Sequence, residues 1–342
     1  MLSAEQRWKG VIRMRENLPF ADFESAALFA LPFLQDRIGF DAWMLTRVEE
    51  NTQILLRTVD RTGQLTPGLA FDWTQSFCYR MVTENGARVV PAVTEDPLYR
   101  SIPTPERITV GAYIGVPLLR ADGSLFGTLC AIDPDPQPTS IVRELPLIEL
   151  VARFLGTSLE ADWKEAEPER RRERKSAEGL RDTLTGLYNL YGWEQLLERE
   201  EARCRRFGHP TCVIAVEVLG EDGTLPRMAF IPEVDVLRRT GQALRAATLT
   251  THIAARVGSV DFCVLGIDTG PTASEELRRR IEGAFREWRI RAVVSVVTRD
   301  PARGLIAAWR DANQRLRDPV RSTDPVRSTD PPVLFDPSPI VV

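Results

Sequence analysis

Apolar residues recur at three- and four-residue spacing over residues 2–15 and 21–37, which predicts two amphipathic helices. The second opens at Pro19-Phe20-Ala21-Asp22, a helix-start sequence. Residues 40–48 and 53–59 alternate as strands. Helical spacing returns over 73–83, with Phe77, Met81 and Val82 on the core face. Asp122-Gly123 joins strands 112–119 and 124–132 as the clearest hairpin signal in the chain. Leu147, Val151, Phe154, Leu155 and Leu159 then predict a long amphipathic helix over 140–163, of the kind that lies in a dimer seam. From Glu165 the chain turns highly charged, and Pro168 is expected to break or kink the rod unless it opens a new helix. Five of the six residues 170–175 are basic, with acidic residues nearby, and read as a solvated helix face in an interdomain linker, 164–180.

Beyond the linker the pattern predicts helix 193–206, strand 212–219, helix 234–248, and a strand running into Arg256. Apolar period-2 runs flank Gly258-Ser259, a second hairpin with Asp261 beside its turn. Helix 273–288, strand 291–298 and helix 305–316 follow. Residues 318–342 repeat Asp-Pro-Val-Arg-Ser-Thr and carry too many prolines for a helix or core, so a disordered tail is expected. Val333-Leu334-Phe335 within it is either a short docking motif or part of an inert extension.

The 342 residues, 43% apolar, suit two soluble domains, each burying a core. A formal charge of −4 with interspersed signs gives no field that would recruit nucleic acid or an acidic membrane surface. Five cysteines and two histidines, without zinc-type spacing, point to reduced thiols in a cytoplasmic protein. The N-terminus has no apolar signal core, and no apolar run is long enough to span a bilayer.

The string Ala112-Tyr-Ile-Gly-Val-Pro-Leu-Leu, then Asp122-Gly-Ser-Leu-Phe-Gly-Thr-Leu-Cys-Ala-Ile-Asp-Pro134, resembles a GAF domain. Ser76-Phe-Cys-Tyr and Ser101-Ile-Pro103 lie where related domains have similar residues. The resemblance implies, for residues 1–163, a sensory domain with an antiparallel sheet, helices on its faces, a dimer contact and a small-molecule pocket of unknown ligand. Cys78, Tyr113 and Cys130 are the candidate pocket residues. Cys78 precedes Tyr79 and Cys130 precedes Ala131, not histidine, which argues against a covalent bilin. Both histidines lie outside this half, which argues against haem. Cys78 and Cys130 read either as small buried apolar residues or as sensory thiols.

Asp182-Thr-Leu-Thr-Gly-Leu-Tyr-Asn189 and the hairpin Arg256-Val-Gly-Ser-Val-Asp-Phe262 together resemble the GGDEF (diguanylate cyclase) family. This implies a ferredoxin-like cyclase core over 181–317, in a family that condenses two GTP into cyclic di-GMP. The five-letter motif reads Gly258, Ser259, Val260, Asp261, Phe262. The family's metals need two converging carboxylates. Glu217 takes one ligand position with its charge kept, but Val260 takes the other and offers no oxygen. Asp261 keeps a carboxylate at the fourth letter. The guanine-binding positions fall on Leu225 and Val234, Asp235 lies one residue from the second, and the product-inhibition positions fall on Thr250 and Ile253. Arg317 stands roughly where a phosphate-contacting lysine would lie.

The expected architecture is α/β (α+β): an N-terminal GAF domain, a helical linker and a degenerate GGDEF domain. The expected function is signal transduction, a GAF input coupled to a GGDEF domain without turnover that works as a regulatory or interaction module. The alternatives are an active diguanylate cyclase, which would need Mg²⁺ held by Glu217 and Asp261, and a small-molecule receptor whose second domain only dimerises. No cofactor is otherwise expected. The partners expected are a second copy, through the GAF and linker helices, and an unknown protein.

Overall fold

Asp22 starts the first described helix by accepting the Ser25 N–H at 2.7 Å, while Ser25 Oγ accepts from Asp22 N at 3.1 Å. This reciprocal cap satisfies two N–H groups and sets the start of α1 (Phe23–Ile38). The structure, a computed structural model, describes residues 19–104, 108–177, 179–220 and 233–317. The helix expected over 2–15, the aligned positions 221–232 and the tail 318–342 lie outside them. The chain divides into two compact units after Arg170.

The first unit is built on six antiparallel strands: β1 (Ala42–Glu49), β2 (Thr52–Asp60), β3 (Ala70–Asp72), β4 (Val89–Val90), β5 (Ala112–Leu119) and β6 (Leu125–Asp133). Their order is β3-β2-β1-β6-β5-β4. Asp122 accepts the Ser124 N–H at 2.9 Å and Gly123 takes φ +82°, the turn its sequence requires between β5 and β6. At Gly127 of β6 a Cβ would lie 1.8 Å from the Thr46 carbonyl oxygen, so only glycine allows β6 this close to β1. The pleat sorts residues between two faces. Phe126 meets Phe23 of α1 edge-on, whereas Met44, Tyr113 and Cys130 share a cluster with Cys78 of α2 (Phe77–Thr83).

α3 runs unbroken over Leu145–Ser176, through Pro168. The expected break does not occur. Proline removes one N–H and costs a helix interior roughly 3 kcal/mol. Strong helix formers on both sides, Lys164 to Glu167 and Glu169 to Lys175, carry the helix across it.

In the second unit, α4 (Leu190–Phe207) is capped by Asn189, whose side chain accepts from Gly192 N–H, and ends at Gly208 with φ +66°. It precedes a β-α-β-β-α-β core: β7 (Thr211–Val218), α5 (Val234–Ala247), β8 (Ile253–Arg256), β9 (Asp261–Ile267), α6 (Pro271–Glu287) and β10 (Ala292–Thr298), closed by α7 (Gly304–Arg317). The antiparallel order β10-β7-β9-β8 is the ferredoxin-like arrangement. Both faces are covered, so β7 reads as a nearly continuous apolar run. Ile214, Val216 and Val218 pack with Leu237, Leu277 and Phe285 of α5 and α6. Val213 and Ala215 pack with Trp193 of α4 and Leu305 and Ala312 of α7.

Candidate functional site

The two segments that carry the second resemblance form one physical unit. Tyr188 N–H donates to the Ala254 carbonyl at 3.1 Å and Arg256 N–H to the Tyr188 carbonyl at 2.8 Å, which pairs Tyr188 with β8. Arg256 then bridges them. Its guanidinium donates to the Ser259 carbonyl at 2.8 Å and to Asp182 Oδ2 at 3.3 Å, while Asp182 also accepts from Thr185 N and Oγ1. Burial opposes the charged form of Asp182, but Thr185 and Arg256 outweigh it and hold its carboxyl below the usual carboxylate range. The arginine of the motif therefore holds the turn. That role was missed in the sequence, where Arg256 marked only a position in a pattern.

The turn itself closes through Val257 N–H and Gly258 N–H, both donating to the Asp261 carbonyl. A Cβ on Gly258 would lie 2.3 Å from Asp261 Oδ2, so the Asp261 carboxylate folds back onto the glycine backbone. In the ladder, Val218 N–H donates to the Val260 carbonyl at 3.0 Å. Alternation then makes Glu217 and Asp261, the next pair, a non-hydrogen-bonded pair, with Cα atoms about 4.5 Å apart and side chains on one face. That face also carries Val293 opposite Glu217, and belongs to α4 and α7.

Val260 lies on the opposite face. It is 5% exposed and belongs to the apolar cluster of Leu187, Val216, Val218, Leu237 and Phe262. The residues present do not fit a metal pair in the arrangement the resemblance implies. One ligand position is hydrocarbon packed into hydrocarbon, and the neighbouring carboxylate, Asp261, stands on the other side of the sheet. Burial raises the Asp261 carboxyl above its ordinary value, only partly countered by the Arg317 charge. A carboxyl that resists ionisation, beside a guanidinium, is a poor seat for Mg²⁺, which demands hard anionic oxygens.

The nucleotide-recognition positions behave similarly. Val234, at the first turn of α5, is 51% exposed and presents no polar atom. Asp235, one residue on, is held by Arg239 Nε at 2.8 Å. Leu225 lies outside the described residues. Thr250 and Thr251 offer their carbonyls to Arg174 near the end of α3, both at 2.8 Å. Glu173 pairs with Arg203 at 2.5 Å. The 170–175 run is thus partly engaged rather than simply solvated, because its charges reach backbone acceptors and α4.

Glu200, Cys204 and His209 place one possible metal-ligand atom each within 4.8 Å of one another, all buried. Their contacts are those of an ion pair. His209 Nε2 lies 2.8 Å from Glu200 Oε1 and 3.4 Å from Cys204 Sγ, and Arg203 donates to Glu200 Oε2 at 3.1 Å. Burial works against a charged ring, yet Cys204 and Glu200 raise the His209 pKa to about 10, so the proton sits where a metal would bind. The i, i+4 spacing of Glu200 and Cys204 on α4 was the available sequence signal.

In the first unit the three candidate pocket residues do come together. Tyr113 OH donates to Cys78 Sγ at 3.3 Å. Thr128 Oγ1 adds a second contact at 3.2 Å and reaches Cys130 Sγ at 3.8 Å. Behind it Gln53 Nε2 donates to Thr46 Oγ1 at 3.2 Å and Thr128 Oγ1 at 3.3 Å. These polar residues are all buried. Gln53 and Thr128 were missed, although each is a polar residue inside an otherwise apolar strand.

The first unit is an α+β domain with helices flanking one antiparallel sheet, and the second a ferredoxin-like core. Residues 19–159 match the family model described as GAF domain. Diguanylate cyclase DgcP of Escherichia coli (strain K12) is 22% identical over 271 residues, 77% of this chain and 77% of that protein. Cyclic di-GMP phosphodiesterase PA2567 of Pseudomonas aeruginosa is 30% identical over 145 residues, 42% of this chain but 22% of that protein. The solved GGDEF domain of DgcB from Caulobacter crescentus, in complex with c-di-GMP, aligns at TM-score 0.36 and 16% identity, over 40% of this chain and 85% of that one. The chain carries a GAF domain followed by a GGDEF-like domain of cyclase fold. Among the described residues no helix is long and apolar enough to cross a membrane.

Proposed function

We propose that this is a signalling protein of the cyclic di-GMP systems in which the GAF domain receives an input and the GGDEF-like domain acts without cyclase turnover, as a regulatory or interaction module. The observation that carries this reading is Val260, buried among Val218, Leu237 and Phe262 on the sheet face opposite Glu217 and Asp261. Two carboxylates that must share a metal pair cannot do so when one position is an aliphatic residue of the core. Its relatives by name make and degrade the same dinucleotide, which supports the signalling context. Leu28, Phe29 and Phe33 of α1 and Leu150 and Phe154 of α3 are exposed apolar residues, and support pairing with a second copy through these helices.

Incubation of the full chain with GTP and Mg²⁺ or Mn²⁺ tests the reading. No cyclic di-GMP should form, and a product whose rate falls on Glu217→Ala would overturn it. That outcome would establish the second reading, an active cyclase, which the opposed Glu217/Asp261 pair favours because it does set two carboxylates side by side.

A further inference from the structure

The five cysteines of this chain are all buried free thiols, yet their surroundings divide them. Cys212 and Cys263 lie in the sheet of the second unit, where burial raises the thiol well above its ordinary value, Cys212 to about 12. Such thiols are inert. Cys78 has the opposite surroundings. The Tyr113 hydroxyl at 3.3 Å and the Thr128 hydroxyl at 3.2 Å both reach its sulfur. Sulfur is a weak acceptor as a thiol and a strong one as a thiolate, so this convergence favours the anion. Cys130, ahead of Thr128 and Tyr113, holds the Cys78 thiol below the usual thiol range against burial, and Cys78 in turn holds the Cys130 thiol up.

The backbone is shaped around this contact. Cys130 on β6 stands opposite Gly115 on β5. A Cβ on Gly115 would fall 1.9 Å from the Tyr113 hydroxyl oxygen, so the glycine leaves the space through which that hydroxyl reaches Cys78. Tyr113 is in turn packed by Phe77 and Tyr99, with ring centroids 5.4 and 5.5 Å away. A thiol on α2 and a thiol on the sheet thus share one hydroxyl neighbour, Thr128 Oγ1, which lies 3.2 Å from Cys78 Sγ and 3.8 Å from Cys130 Sγ.

We propose that Cys78 and Cys130 are an oxidisable dithiol, a modification site in the GAF domain whose co-reactant is a small hydroperoxide. The Cys78 sulfur attacks the distal peroxide oxygen, the O–O bond breaks, and the leaving oxygen takes a proton to depart as water or alcohol. Cys78 is left as a sulfenic acid. The Cys130 sulfur then attacks that sulfur and forms the S–S bond, while the hydroxyl leaves with the Cys130 proton as a second water. Two thiols have lost two electrons, and the peroxide has gained them. A small uncharged peroxide suits this buried position better than a bulky disulfide such as oxidised glutathione, which would need both sulfurs exposed. Formation of the bond removes the thiol donor and the acceptor around which Tyr113 and Thr128 are arranged, so α2 and the β5–β6 hairpin exchange their polar contacts on oxidation.

The test uses the full chain, hydrogen peroxide at neutral pH and peptide mapping without reductant. A peptide linked through Cys78 and Cys130 is expected, with Cys78 consumed at least about tenfold faster than Cys212 and Cys263. Cys130→Ser should leave a sulfenic acid on Cys78 that dimedone traps, and Cys78→Ser should leave Cys130 reduced. Gly115→Ala keeps both thiols and should slow Cys78 alone. Consumption of Cys78 no faster than of Cys212 and Cys263 would overturn the proposal, because it would mean that general opening of the fold exposes all three. Dimedone labelling of Cys130 before Cys78 would overturn it as well. Both results come from the wild-type chain, so they stand even if a variant fails to fold.

Discussion

The GAF domain and the GGDEF-like domain each bury side chains able to do chemistry beside a β-hairpin, and they surround them differently. Around Cys78, the hydroxyls of Tyr113 on β5 and Thr128 on β6 reach one sulfur, and Thr46 of β1 and Gln53 of β2 hold Thr128 in turn. Around the β8–β9 hairpin the sheet keeps one polar pair, Glu217 and Asp261, and turns the remaining ligand position into packing. Chemistry needs groups that converge: those around Cys78 do, whereas at the second domain's hairpin the Val260 side chain is packed into hydrocarbon. In the second, the hairpin is held in shape by Arg256 and Asp182, with Val260 packed into the core beside it.

The substitution with the largest expected effect attacks that exchange directly. Val260→Asp would put a carboxylate among Val218, Leu237 and Phe262, and should destabilise the second domain by roughly 3 kcal/mol, read by denaturant unfolding. A stable Val260→Asp protein would mean that this position opens to solvent and that the contrast between the domains is overstated. In the GAF domain, Gly115→Ala forces the Tyr113 hydroxyl away from Cys78 and should cost about 2 kcal/mol, measured in the same way. Arg256→Ala removes two hydrogen bonds from a partly exposed turn and should cost about 1 kcal/mol, with loss of protection at the amides of residues 257–261 in hydrogen exchange.

Stability should also show a slope with pH. The folded-state pKa of His209 is raised above its ordinary value of 6.5 to about 10. Its contribution is therefore fully present below about pH 6.5 and is lost as pH rises towards 10. Unfolding free energies measured from pH 6 to 10 should fall in the wild type, and fall less in His209→Gln.

Much of this was legible in the sequence. Alternation and turn chemistry located the strands, and Asp122-Gly123 and Gly258-Ser259 marked both hairpins. The Glu217 position followed from a gapless alignment over 217–237 and Val260 from the third letter of the hairpin motif, but the face each occupies required the ladder register, which sequence spacing alone does not fix. Pro168 shows the other limit. Its local penalty predicted a break, whereas favourable propensity on both sides carries α3 through. Cys78, Tyr113 and Cys130 were singled out, yet their convergence, together with Gln53 and Thr128, depends on contacts among α2 and strands far apart in the chain.

Calorimetric titration of the full chain with GTP and Mg²⁺ tests the central claim most directly, since it reads nucleotide binding whether or not turnover follows. With Val260 in the core and Asp261 beside Arg317, no saturable heat is expected. Stoichiometric binding that requires Mg²⁺ and disappears in Glu217→Ala would contradict the account.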